Sequence, residues 1–166
     1  MSQVGVIMGS DSDYQGMEEA LDVLRDFEVP FEVIISSAQR TLKRTVDWVK
    51  AFEAQGGKLI IAGAGLAAHL PGVVAAASIL PVIGVPMSSG SMEGIDALYS
   101  IVQMPPGIPV ATVGIGAARN AALLGVQILS IQDSALSIKV KDYRAQMLKD
   151  IEAKDEALQN RLSQKN

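Results

Sequence analysis

Apolar residues in this chain fall into short runs that alternate with stretches of helical period from one end to the other. Five runs read as strands, at residues 4–8, 31–35, 59–62, 82–85 and 110–115. Most are continuously apolar, the mark of parallel strands covered on both faces. Between the first two, Met17, Ala20, Leu21 and Leu24 make one stripe of a helix over 14–27. A second helix is predicted over 41–54, with Leu42, Val46, Val49 and Phe52 inward and Gly56-Gly57 as its stop. A third, over 66–78, is Ala-rich and so apolar that it should be buried, and 92–104 and 117–130 supply two more. Repeated β-α units imply a doubly wound α/β fold, a three-layer αβα sandwich. The pattern fits one domain over 1–166, with its core over about 3–130.

The tail follows a different rule. From Asp133 to about Ser163 it reads as one long helix, with Leu136, Val140, Tyr143, Met147 and Ile151 at spacings of three and four. Leu158 and Leu162 continue the stripe among many charges. So long a helix finds no obvious groove in a domain of this size. A role in oligomerisation, across a subunit boundary, is the expectation, with a helix lying across its own sheet as the alternative.

Composition narrows the function classes. With 166 residues, 49% of them apolar, the chain can build one real core. A formal charge of −4 and the lack of any Lys/Arg cluster argue against a nucleic-acid partner. No cysteine is present, and a single histidine makes a poor basis for a zinc site. No apolar run is long enough to span a bilayer, so no membrane partner is expected. The N-terminus enters a strand at once, without a basic region or cleavable apolar segment, which makes the cytoplasm the expected address.

Candidate chemistry gathers at four predicted strand ends. After the first, Gly9-Ser10-Asp11-Ser12-Asp13 opens a helix and offers backbone N–H groups and hydroxyls to an anion. It is neither a Walker A loop nor a Gly-x-Gly-x-x-Gly fingerprint. Carboxylates repel phosphate, so Asp11 and Asp13 suit ribose hydroxyls better. After the second, Ser37-Ala38-Gln39-Arg40-Thr41 places an Arg where bidentate phosphate binding is possible. After the third, Gly63-Ala64-Gly65-Leu66 lets backbone approach a ligand closely, and His69, the one histidine, stands at the rim of that space. After the fourth comes Pro86-Met87-Ser88-Ser89-Gly90-Ser91. Helix capping, tight packing or a solvated charge would account for any one segment alone. Their joint occurrence at successive strand ends favours a small-molecule site.

These segments resemble the class I N5-carboxyaminoimidazole ribonucleotide mutases, the PurE family. Met8-Gly9-Ser10-Asp11-Ser12-Asp13 is similar to the family's Met-Gly-Ser-x-Ser-Asp. Gly63 to Gly72 is similar to its Gly-Ala-Gly-Gly-Ala-Ala-His-Leu-Pro-Gly, and Ser100 to Pro105 and Asn120-Ala121-Ala122 also match. The resemblance implies a flavodoxin-like parallel sheet of order 2-1-3-4-5, a homo-octamer, a ribonucleotide substrate, and no metal or organic cofactor. The reaction it implies is the de novo purine isomerisation that moves a carboxylate from the exocyclic nitrogen to carbon 4 of an aminoimidazole. It places Gly9, Ser10, Ser12 and Asp13 on the ribonucleotide, and Ser37 and Arg40 at its phosphate end or pocket wall. Gly63, Ala64, Gly65, Leu66 and His69 would then line the space for the ring and its carboxylate.

Three positions depart from the family, Gln39, Leu42 and Leu66. It reads Ser-Ala-His-Arg-Thr-Pro where this chain reads Ser37-Ala38-Gln39-Arg40-Thr41-Leu42, and that histidine is the family's proton-moving residue. Gln has no useful protonation equilibrium, and loss of a positioned acid/base costs about 10²–10⁴-fold in rate. Binding should survive this change better than turnover. Gln39 then marks either an engineered replacement in a competent enzyme or a diverged relative that holds a purine-pathway nucleotide or a partner protein. Leu66 stands where the family has a pocket glycine, which narrows or reshapes the cavity.

Overall fold

The computed structural model describes residues 1–164. In chain order the elements are β1 (Val4–Met8), a 3-10 turn (Asp11–Asp13), α1 (Tyr14–Asp26), β2 (Phe31–Ile35), α2 (Leu42–Ala54) and β3 (Leu59–Ala64). They continue with α3 (Leu70–Ala77), β4 (Val82–Pro86), α4 (Ile95–Val102), β5 (Ala111–Thr112), α5 (Ala118–Ser130) and α6 (Ser134–Ser163). The five strands pair in parallel in the order β2-β1-β3-β4-β5. Two compact units are present, one from Met1 to Val126 and one from Gln127 onward.

The first unit is a sheet clad on both faces. β1, β3 and β4 are buried throughout, as their unbroken apolar runs require. On one face Ile7, Ile60 and Ala62 meet Val49 and Phe52 of α2, Val74 of α3 and Ile101 of α4. The opposite face is covered by α1 and α5. A Cβ added to Gly63 would fall 2.5 Å from Met17 Sδ, and one added to Gly125 would fall 3.2 Å from Leu59 Cδ1. Glycine at these places lets helix and sheet come together.

Some elements differ from the sequence pattern. Helix α3 begins at Leu70 rather than Leu66, because Leu66 itself adopts φ 55° and breaks the helical path. β5 keeps only Ala111 and Thr112 of the expected 110–115 run, opposite Ile83 and Gly84. It is an edge strand that gives way to the loop of Gly114 and Gly116, the latter at φ 69°. In α2 the inward positions are Thr45, Val49 and Phe52, while Leu42 is exposed. Thr45 can be buried because its hydroxyl is bonded to Ser36 Oγ at 2.8 Å.

The second unit is dominated by α6, thirty residues long and capped by Asp133, whose carboxylate accepts from Leu136 N at 3.0 Å. No helix among the described residues is long and apolar enough to cross a membrane.

Candidate active site

Parallel strands carry their loops to one edge, and here the loops after β1, β2, β3 and β4 converge on a single cleft of about 560 Å³. The sheet ladder runs right up to it. Ser36 N donates to Met8 O at 2.9 Å, Gly9 N to Gly63 O at 3.3 Å, and Met87 N to Ala64 O at 2.9 Å. The loops therefore leave a rigid platform rather than a mobile surface.

The β1 loop is closed on itself. Ser10 N donates to Asp13 Oδ2 at 3.0 Å, while Ser12 N donates to Asp11 Oδ1 at 3.0 Å and lies 3.4 Å from Ser10 Oγ. The backbone donors that a helix start could offer to an anion are thus already engaged by carboxylates. Burial pushes the Asp13 carboxyl above its ordinary value. The Ser10 N–H works against that rise, Asp11 adds to it, and Gly9 and Arg40 oppose it.

The β2 loop is built around Ser37. Its hydroxyl accepts from Gln39 N at 3.3 Å and Arg40 N at 3.2 Å, and its own N–H donates to Thr41 Oγ1 at 2.9 Å. This turn presents two side chains to the cleft. Arg40 Nη2 donates to Gly9 O at 3.1 Å, which ties the β2 loop to the β1 loop. A guanidinium has five N–H donors, so others are left for a ligand. Gln39 Nε2 lies 3.0 Å from His69 Nδ1, which ties the β2 loop to the start of α3.

The β3 loop forms the remaining wall. Gly65 comes so close to the β4 loop that a Cβ there would stand 2.3 Å from Ser89 Oγ. Leu66 is held in the left-handed region, with its side chain over Gly90: a Cβ on that glycine would lie 2.7 Å from Leu66 Cδ2. His69 is the residue just before α3, and its side chain makes no cap to that helix.

Most of the residues singled out from the sequence meet here: Gly9, Ser10, Ser12, Asp13, Ser37, Gln39, Arg40, Ala64, Gly65, Leu66 and His69 all line the cleft. Gly63 does not. It belongs to β3, and its missing side chain makes room for Met17 on the sheet's α1 face. Ala38, Ala67, Ala68, Leu70 and Ser89 also line the cleft. Ser89 was visible as part of the polar run after the fourth strand, but its approach to Gly65 was not. Among the described residues no three His, Cys, Asp or Glu side chains are grouped as a metal donor set.

Known proteins share both the sequence and this framework. A relative from Pyrococcus abyssi, an N5-carboxyaminoimidazole ribonucleotide mutase, is 56% identical over 147 residues, covering 89% of this chain and 84% of its own. One from Thermotoga maritima, of the same name, is 47% identical over 159 residues, covering 96% and 93%. The crystal structure of Treponema denticola PurE superposes with a TM-score of 0.86 at 34% identity, over 93% of this chain and 97% of that one. Residues 3–150 match the family described as AIR carboxylase, and the chain belongs to that family.

Proposed function

We propose that this chain is a 5-(carboxyamino)imidazole ribonucleotide mutase of purine biosynthesis, with His69 as its proton-moving group. The observation that carries this reading is the cleft itself, in which Arg40 supplies a cation for a phosphate and His69 supplies the imidazole. Relatives of that name at about half identity over most of the chain support it. Asp13 and Ser10 suit the ribose hydroxyls, and Ala64 and Gly65 line the wall against which a planar heterocycle would lie.

The chemistry needs one proton moved out and back. The protonated ring gives its proton to the exocyclic nitrogen as the nitrogen–carboxylate bond breaks, with the bonding pair left on nitrogen and CO₂ released. Carbon 4 of the imidazole then attacks the trapped CO₂. The hydrogen displaced from carbon 4 returns to the ring nitrogen, so no net proton is exchanged and no co-reactant is consumed. One imidazole can serve both steps because it gives up a proton in the first and takes one back in the second. Gln39 has no proton to contribute, so turnover should fall below that of a Gln39→His variant, which adds a second ring.

Assembly and address follow from the same reading. The exposed apolar faces of β2 and α4 support burial against further copies in an octamer, and biosynthesis of this kind belongs in the cytoplasm.

An isomerisation assay with the carboxyamino substrate tests the function. The parent should turn over, and His69→Asn should lose about 10²–10⁴-fold in kcat with little change in affinity. A parent that binds the nucleotide but stays inert, even as Gln39→His, would be a binding protein and not a mutase.

A further inference from the structure

The Gln39 side chain is held at both ends. Its Oε1 accepts from the Ser37 hydroxyl at 3.3 Å, and its Nε2 lies 3.0 Å from His69 Nδ1. An amide nitrogen can only donate, so Nδ1 is the acceptor and the neutral ring carries its hydrogen on Nε2. Ser37 is itself fixed: it is 7% exposed, and its hydroxyl also takes the N–H groups of Gln39 and Arg40.

We propose that Gln39 is a positioning residue for His69, an amide oriented by Ser37 that engages Nδ1 and leaves Nε2 alone to face the substrate. The proposal rests on the reading of His69 as the proton-moving group, and it explains why an amide suits this place. When the ring is protonated, Nδ1 gains a hydrogen and needs an acceptor. A half-turn about the last side-chain torsion of Gln39 brings Oε1 to Nδ1 and Nε2 to Ser37 Oγ. Ser37 Oγ already accepts from the N–H groups of Gln39 and Arg40, so it anchors the amide in the resting orientation only, and the turned amide is held by Nδ1–H. A carboxylate at position 39 could only accept, and would hold the proton on Nδ1 in both states. With the amide turned, the ring gives its Nε2 proton to the exocyclic nitrogen while Nδ1–H stays on Oε1. The Nε2 lone pair is then free to take the hydrogen leaving carbon 4.

The chain has one histidine, so ¹⁵N NMR of the imidazole reads His69 with no ambiguity of assignment. In the full-length, nucleotide-free parent with the ring neutral, Nδ1 should show the resonance of an unprotonated nitrogen and Nε2 that of an N–H. Gln39→Glu should move the hydrogen to Nδ1. Gln39→Met, similar in length but without a hydrogen bond, should shift the Nδ1 resonance and lower kcat by up to about 100-fold through loss of ring placement. KM should stay within about twofold, since placement of the ring is not uniform substrate binding. Gln39 is exposed, so neither variant threatens the core. Ring resonances unchanged in both variants would overturn the proposal, as would a rise in KM with kcat kept, which would make Gln39 a substrate-binding group. The expected resonances in a parent without mutase turnover would support the positioning role and refute the mutase reading instead.

Discussion

At the scale of single residues, the cleft divides its polar groups into those already satisfied and those still available. The N–H groups of Ser10, Ser12, Gln39 and Arg40 are taken by neighbouring side chains, so a phosphate would rely on the Arg40 guanidinium rather than on a helix start. Arg40→Ala should therefore weaken aminoimidazole ribonucleotide binding by about 1.5–3 kcal/mol, the worth of hydrogen bonds to a charged group. Calorimetry that finds the variant binding as tightly as the parent would place the phosphate elsewhere. Asp13 gives a second test. Its folded carboxyl holds a proton more tightly than the unfolded one, chiefly through burial. That contribution favours the folded state below the ordinary Asp value and is lost as pH rises through the raised one. Asp13→Asn keeps an acceptor for Ser10 N–H and removes the titration. Its stability relative to the parent should grow as pH rises from the ordinary Asp value through the raised one and then level off. Urea unfolding profiles that run parallel across that range would contradict the assignment. Residue types at the strand ends were legible in the sequence because turn-forming and charged residues interrupt apolar runs there. Partners were not. Gln39 and His69 are thirty positions apart, and only the β1-β3 and β1-β2 pairings bring their loops together.

At the scale of elements, the hydrophobic pattern placed four of the five strands to within two residues and overran the fifth. β1 and β2 have the expected ends, and β3 and β4 run two and one residues further toward the cleft. The edge strand β5 is short because only Ala111 and Thr112 pair with β4 before the loop of Gly114 and Gly116 turns the chain away. Leu66 misplaced the start of α3, since a leucine at φ 55° looks like an ordinary helix former in the sequence. Packing between elements makes its own prediction at Gly84, in the middle of β4. An added Cβ would stand 2.4 Å from Ile101 Cγ2 and 3.0 Å from Val110 Cγ1. Gly84→Ala should force α4 off the sheet and cost about 1–3 kcal/mol by overpacking. The measurement is the midpoint of chemical denaturation, and an unchanged midpoint would mean that α4 is not seated on β4 as described.

At the scale of the whole molecule, the sheet unit leaves apolar side chains in water that a lone chain has no reason to keep there. Ile95, Tyr99 and Val102 repeat at helical spacing along the outer face of α4, at 47%, 61% and 48% exposure, with Met92 just before them. Ala97 and Ile101 on the same helix are fully buried, so the outer stripe is a second apolar face rather than a displaced core face. On β2, the opposite edge strand, Val33 and Ile35 are exposed as well. Apolar surface of this kind marks a face that another protein covers. In the proposed octamer that protein is a further copy of this chain, a closed assembly in which identical patches meet. Light scattering on the full chain at micromolar concentration should then return about eight times 17.5 kDa. The double variant Tyr99→Asp, Val102→Asp should sediment as smaller species with its circular dichroism unchanged, because neither side chain belongs to the core of the sheet unit. A parent that scatters as a 17.5 kDa monomer would remove the assembly, and would leave the α4 stripe without an occupant.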